Sequence, residues 1–259
     1  MSYRFSKKNV KKLYSEYFKI QCKFEYLLIK YNSRKFSNAE AAEYFYQGLF
    51  RRIQILARCI HNIFRICPPD QTARLEGGSL SDLDINLQSF VFNIFGCLDN
   101  LAWVWVKEKE IKNSYGTPLR ISEIGFGEKY KTVRESFPKS FKNYIERKNF
   151  EEWFSYLNSY RHALAHRIPL YVPPYNLNEE ELAQEQELRK AQIIALTNYN
   201  FEEYENIEKK LNSLGKFIPW MIHSDKEDHR PCIFHSQVIS DWKTIVQISE
   251  KFFKLLWKE

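Results

Sequence analysis

Apolar residues recur at steps of three and four along much of the chain, a spacing typical of helices with one buried face. The segment 6–32 is the first predicted helix. The segment 38–66 is the second, and its apolar stripe contains Leu49, Ile53, Leu56, Ile60 and Ile63 or Phe64. This helix should end at Cys67, because the proline that follows disfavours helical geometry in the residue before it. A third helix is predicted over 83–112.

The second half of the chain continues the helical pattern with interruptions. A fourth helix is predicted from about Phe141 or Asn149 to His166 or Ile168, because Pro169 cannot continue it. The remaining predicted elements are an acidic helix over 178–196, a small β-hairpin formed by 217–223 and 232–235, and an amphipathic helix over 237–257. Glycine, proline and polar residues indicate a loop over 70–82 and irregular structure over 113–138.

These elements predict a mainly α protein, a helical bundle with a small β-hairpin and an extra C-terminal helix. We expect a single domain over 1–259, with the bundle core at about 40–170 and a C-terminal elaboration at about 171–259. Only 8 Gly and 9 Pro occur in 259 residues, too few for an all-β protein with frequent turns. Aromatic residues reach 16%, which is best explained by rings anchoring helix–helix contacts, with base stacking as the alternative.

A narrow polar arc follows the third predicted helix. Small and amide side chains fall on this arc of a helical wheel, whereas bulky apolar residues fill most of the rest. The arc contains Asn86, Ser89, Asn93, Gly96, Cys97, Asn100 and Lys107. It can serve close packing against another helix, or it can line a polar site.

Positive charge is concentrated near the amino terminus. The net charge is +7, but residues 1–65 alone hold 14 Lys and Arg against 4 Asp and Glu, a local charge of +10. This imbalance suggests an anionic partner, with nucleic acid as the first candidate, or else a solvated lysine-rich surface. The candidate nucleic-acid-binding residues recur along helix faces and are Lys12, Lys19, Lys23, Arg51 and Arg58.

Cysteine usage and the start of the chain suggest a reducing compartment. The five cysteines form no Cys-x-x-Cys pair and are odd in number. The chain starts Met-Ser-Tyr-Arg and continues into lysines, unlike a signal peptide. Residues 90–106 are apolar but contain Asn93, Asp99 and Asn100, which predicts a buried core helix rather than a membrane span. We therefore expect a cytoplasmic protein without membrane association.

The fourth predicted helix carries an unusual polar face. Phe150, Trp153, Leu157, Tyr160 and Leu164 form its apolar stripe, and the opposite arc contains Ser155, Asn158, Ser159, His162 and His166. A helix face open to solvent usually carries long charged side chains, and from Ser155 to His166 this arc has neither Lys nor Glu. The arc therefore predicts a partly covered groove or a subunit contact in a homodimer.

Arg161 and His166 are the candidate catalytic residues. A histidine can move protons at neutral pH, and a permanently charged guanidinium can hold a phosphate. Five residues separate the two, about 140° around an ideal helix. They can converge only if the last turn unwinds before Pro169, or if a second subunit supplies the complementary residue.

The segment Arg161-His162-x-x-x-His166 resembles the Arg-x(4–6)-His motif of the HEPN superfamily (higher eukaryotes and prokaryotes nucleotide-binding). The resemblance covers roughly residues 40–170. It implies a helical bundle that forms homodimers, and a metal-independent RNase of toxin–antitoxin or defence systems, in some cases with an antitoxin partner. His166 would then act as general base or acid, Arg161 would stabilise the phosphorane, and His162 would orient or assist. We add Asn158, Asn100 and Asp99 as supporting residues, the last two as possible holders of the histidines.

Two alternatives remain open. A non-catalytic module of the same kind would bind a nucleotide, RNA or a partner protein. A metal site could use His162 with His166, or a hairpin set of His223, Asp225, His229, Cys232 and His235, although neither set has a known zinc spacing. We expect no metal and no cofactor. The sequence contains no Gly-rich phosphate loop and no Gly-x-Ser-x-Gly nucleophile elbow.

Overall fold

Four long helices form the frame of the bundle. The computed structural model describes residues 5–224 and 231–257, and the frame helices are α1 (Lys7–Asn32), α3 (Arg51–Ile66), α4 (Gly77–Glu108) and α10 (Phe234–Leu256). The other α-helices are α2 (Ala39–Glu43), α5 (Lys131–Ser136), α6 (Lys139–Ile145), α7 (Lys148–His166), α8 (Glu179–Thr197) and α9 (Phe201–Ser213). Strands β1 (Trp220–Met221) and β2 (Cys232–Ile233) pair antiparallel. The prediction of a mainly α bundle with a small hairpin is confirmed.

Several predicted boundaries were wrong. Helix α4 begins at Gly77, inside the predicted loop 70–82. The irregular stretch 113–138 contains α5 and a short 3₁₀ turn at Ile121–Glu123. The fourth helix, α7, matches the predicted start near Asn149 and the predicted end at His166, and the residues around Phe141 form the separate helix α6. Helix α9 was not predicted. The hairpin strands have two residues each, because α10 already begins at Phe234.

One large apolar core joins most of the helices. Fully buried side chains reach it from α1 (Leu27), α3 (Ile60), α4 (Leu101), α7 (Leu157) and α10 (Trp242). Helices α1 and α10 lie outside residues 40–170, yet they pack into the same core as α3 and α4. Helix α4 is long and apolar enough to cross a membrane, but 61% of its most apolar window is buried inside the bundle.

Helices α8 and α9 pack on each other as a helical hairpin, which we name the arm (Glu179–Ser213). A separate small core of Ala195, Ile207, Leu211 and Leu214 holds them together. Polar contacts attach the base of the arm to the bundle. Two backbone hydrogen bonds of 2.9 and 3.0 Å between Asn176 and Lys216 close the base of the arm. The Arg74 guanidinium, from the segment before α4, lies 3.7 Å from the Tyr175 ring centre and links this base to the bundle.

A π-helical segment, Tyr44–Phe50, joins α2 to α3 without a break. Its first residue, Tyr44, stacks on Trp103 of α4 with ring centres 4.6 Å apart. Just before α2, the backbone amides of Ser37 and Asn38 donate to the Glu108 carboxylate at 2.9 and 3.1 Å. The segment is therefore fixed at the end of α4 on one side and continues into α3 on the other.

Candidate active site at the end of helix α7

The polar arc of α4 faces α3, and Arg52 lies at its centre. The Arg52 guanidinium donates from Nε to Asn100 at 2.9 Å and from a terminal nitrogen to Asn93 at 3.1 Å. One end of the arc is tied further to α3 by a 2.9 Å hydrogen bond from Asn62 to Asn86. Arg52 was not among the predicted site residues, because the prediction used only basic residues that recur along one helix face, such as Arg51 and Arg58.

The same arc also serves close packing. A Cβ atom on Gly96 would lie 2.5 Å from the Arg52 guanidinium carbon, and one on Gly48 would lie 2.5 Å from the Asn100 amide nitrogen. Glycine at both positions therefore leaves room for the polar contacts. The sequence predicted either close packing or a polar site along this arc. The structure has both close packing at the glycines and polar contacts to Arg52.

Helix α7 buries one face and exposes the other. Phe150, Leu157, Tyr160 and Ala163 are buried. The helix is continuous to His166, and the amide of Arg167 still donates to the Ala163 carbonyl at 2.9 Å. The last turn therefore does not unwind before Pro169, which removes one of the two ways in which Arg161 and His166 could converge.

Arg161 is held against α4. Its guanidinium carbon lies 5.2 Å from the centre of the Phe95 ring, a cation–π contact. Burial raises the pKa of the nearby Asp99 to about 6, while the positive charges of Arg161, Arg52 and Lys129 act in the opposite direction. Asp99 thus lies in a partly buried, positively charged environment beside Arg161.

The two histidines lie side by side on the exposed face. His162 and His166 are both exposed, with ring centres 5.0 Å apart and the rings tilted by 60°. Asn158, one turn earlier, is exposed as well. Within one chain, this face of α7 is therefore open, and Arg161 lies on a different side of the helix from His166.

The two supporting residues on α4 differ in their surroundings. Among the described residues, Asn100 hydrogen-bonds Arg52 and neither histidine. Within one chain, the Asn100 amide is turned towards α3 and does not hold the histidines. Asp99 interacts with Arg161 rather than with a histidine.

A hollow adjoins the exposed face of α7. It lies between α7 and the segment 126–145, and it is lined by Asn158, Phe126, Phe150, Phe154, Glu128 and Arg134. The Arg134 side chain is almost fully buried and approaches Glu146 at 3.9 Å. Sequence reasoning missed this hollow, because α5, which carries Arg134, was not predicted.

His223 and His235, which the sequence offered as metal ligands near the hairpin, are buried and contact other residues of the fold. His223 is buried with its ring 4.9 Å from that of Tyr160. His235 Nε2 donates to the Cys67 carbonyl at 2.6 Å, and burial lowers the pKa of this histidine to about 4. Asp225 and His229 lie outside the described residues. Within 5–224 and 231–257, no group of three His, Cys, Asp or Glu side chains could hold a metal ion.

The predicted basic residues divide into paired and unpaired groups. Lys19 lies 2.7 Å from Glu16 and Lys23 lies 2.6 Å from Glu250. In contrast, Lys12, Arg51 and Arg58 are exposed. In the described part of the chain these three form no ion pair, so their charge remains available to an anionic partner.

Comparisons with protein-family models, curated proteins and solved structures found no match to this chain. Its function is therefore inferred from the residues of the site.

Proposed function

We propose that the chain is a metal-independent endoribonuclease of the toxin or defence type that acts as a homodimer. The observation that carries the proposal is the exposed pair of His162 and His166 at the end of α7, beside a half-buried Arg161. The resemblance of this segment to the HEPN motif supports the same reaction.

The residues suit cleavage by the substrate's own 2′-hydroxyl. That oxygen attacks the adjacent phosphorus, the P–O5′ bond breaks, and the product carries a 2′,3′-cyclic phosphate. His166 would accept the 2′-OH proton or donate one to the leaving oxygen, with His162 next to it to orient or assist. Arg161 would stabilise the negative charge that develops on the phosphorane.

A second copy completes this arrangement. Because α7 is helical through His166, one chain presents Arg161 and His166 on different sides. A two-fold contact through Asn158, His162 and His166 would bring the arginine of one subunit near the histidine pair of the other. Glu151 lies at the start of this face, but from Ser155 to His166 the face carries no long charged side chain, which supports such a contact.

The deciding experiment incubates purified protein with total RNA in EDTA, beside Arg161→Ala and His166→Ala. We expect cleavage by the wild type, loss in both variants, cyclic-phosphate ends and no cleavage of DNA. Equal cleavage by all three proteins would indicate a contaminant, and loss of wild-type cleavage in EDTA would indicate a metal-dependent enzyme. Either result contradicts the proposal.

A second candidate is a non-catalytic module that binds RNA, a nucleotide or a partner protein. The proximity of Arg161 to Asp99 favours it, because a nearby carboxylate partly neutralises the guanidinium charge. RNA binding without cleavage under any condition would support this function over the ribonuclease.

A further inference from the structure

The far end of the arm exposes a group of large apolar side chains. Ile193 is 66% exposed, Ile194 61%, Tyr199 79% and Phe201 59%. We name these four residues the tip. The small core of the arm lies on the inner sides of α8 and α9 and does not cover them. Such a cluster of exposed apolar residues is typical of a binding surface.

The backbone at the tip adds a second observation. Tyr199 has a φ of +56°, in the left-handed region that glycine and asparagine adopt most easily at the end of a helix. Its neighbours Asn198 and Asn200 are of the type that would suit this position. An aromatic residue there costs folding free energy, so its exposed ring is best explained by a contact outside the arm.

Helix α1 has an outer face of complementary character. Phe18 is 62% exposed, Tyr26 51% and Ile29 78%, and they lie with the exposed Cys22 along one stripe. Part of this stripe lines a shallow depression together with Lys19 and Lys23. Lys30 continues the basic edge of the stripe.

The two surfaces have opposite charge. Helix α1 contains 7 Lys and 2 Glu, a net charge of +5. Residues 179–213 contain 9 Glu against 4 Lys and Arg, a net charge of −5. Nucleic acid and anionic lipid surfaces would repel the arm, whereas the outer face of α1 would attract it.

We propose that the tip of the arm docks on the outer face of α1 of a second copy of this chain. Each chain carries both surfaces, so two copies can exchange arms in a closed pair with two equal contacts. The contact uses surfaces distinct from the α7 face and does not depend on ribonuclease activity. It would cover Lys19 and Lys23 of the receiving helix.

The position of Cys22 permits a direct test. Cys22 is the only exposed cysteine, and Asn198→Cys places a thiol beside Tyr199 while leaving the four apolar residues of the tip intact. We expect mild oxidation of this variant to produce a covalent dimer that is lost on adding Cys22→Ser. Tyr115→Cys is the matched control, because Tyr115 is 90% exposed and lies outside the arm. A crosslink within one chain, equal dimer formation by the control, or no crosslink would each overturn the proposal.

A second measurement separates lost docking from lost folding. Tyr199→Asn should stabilise the arm, because asparagine suits the left-handed backbone, yet it should weaken arm-dependent self-association at least about ten-fold. Phe18→Ser with Tyr26→Ser should have the same effect from the other side. An equimolar mixture of the two variants retains one intact contact per pair and should recover part of the association in sedimentation velocity. Unchanged association in both variants, or no recovery in the mixture, would contradict the exchange.

Discussion

The polar face of α4 and the polar face of α7 are similar in sequence but differ in the folded chain. Both combine amide and small polar side chains. On α4, the amides of Asn93 and Asn100 accept hydrogen bonds from Arg52 of the neighbouring helix. On α7, Asn158, His162 and His166 remain exposed. A polar face whose side chains hydrogen-bond a neighbouring helix contributes to the fold, and one whose side chains stay exposed is available for chemistry or assembly.

The largest effect is expected when the exposed His166 is compared with His61, which is hydrogen-bonded within the fold. His166→Ala should lower RNA cleavage at least about 100-fold, the range of general acid–base catalysis, while the thermal midpoint stays unchanged. His61 shares a 2.8 Å hydrogen bond with the Tyr17 hydroxyl. His61→Ala should therefore lower the midpoint and leave the activity of the folded protein intact. If His166→Ala lowered the midpoint and His61→Ala abolished cleavage instead, the proposed division between a functional and a structural histidine would be wrong.

A pair of adjacent arginines provides the next test. Arg52→Leu removes the donor to Asn93 and Asn100, so it should lower the free energy of unfolding by roughly 3 kcal/mol. Arg51 is its exposed neighbour, and Arg51→Leu should change that free energy by less than about 0.5 kcal/mol. Urea unfolding of both variants measures the difference. Equal effects would mean that the Arg52 network does not contribute to stability.

The buried side of α7 predicts a dependence on pH. Trp153 donates to the fully buried Asp241 at 2.9 Å, and burial raises the pKa of this carboxyl to about 7. The folded state keeps this proton up to about pH 7, whereas the unfolded state releases it near pH 4. The free energy of unfolding therefore falls as the pH rises from about 4 to 7. Relative to Asp241→Asn, the wild type should lose roughly 3 kcal/mol of unfolding free energy over this range.

Urea unfolding of the wild type and Asp241→Asn at several pH values between about 4 and 7 measures this effect. A constant difference for Asp241→Asn would contradict a protonated Asp241 in the folded protein.

The smallest expected effect compares unpaired with paired basic residues. Arg51→Glu with Arg58→Glu should weaken RNA binding about ten-fold at low salt and reduce the salt dependence of binding. Lys19→Glu with Lys23→Glu should weaken it less, because those lysines already pair with Glu16 and Glu250. Filter binding at several salt concentrations tests this order. A stronger effect of the Lys19→Glu and Lys23→Glu substitutions would indicate that RNA binds on α1.

Periodicity predicted the helices whose apolar stripe is clear, including α1, α3 and α10, whereas α8 was predicted as an acidic helix although it buries only Ala195. It failed where local signals misled. Gly77 and Gly78 suggested a loop, but they occupy the first turn of α4, where the backbone lacks most of its helical hydrogen bonds in any case. Helix α9 was missed although Tyr204, Ile207 and Leu211 recur along it at helical spacing, and these residues pack in the small core of the arm rather than in the bundle.

For the candidate site, the sequence identified the polar faces but not what lies opposite each of them. Asn100 and Asp99 are adjacent in sequence, yet Asn100 is turned towards Arg52 while Asp99 is close to Arg161. One residue of rotation on a helix, about 100°, separates these surroundings. Only the packing of α3 and α7 on either side of α4 decides which side chain each residue meets.

The π-helical segment Tyr44–Phe50 lets the helix over residues 39–66 contain an extra residue while its two ends stay in register. A π turn holds more residues than an α turn, so deleting one residue within the segment should restore α winding and leave α2 and α3 in nearly the same relative rotation. Deleting one residue from the regular winding of α3 would instead rotate α2 by about 100° relative to the rest of α3. The backbone amides of Ser37 and Asn38 would then turn away from Glu108. A single-codon deletion should therefore be tolerated within the π segment and disruptive just after it.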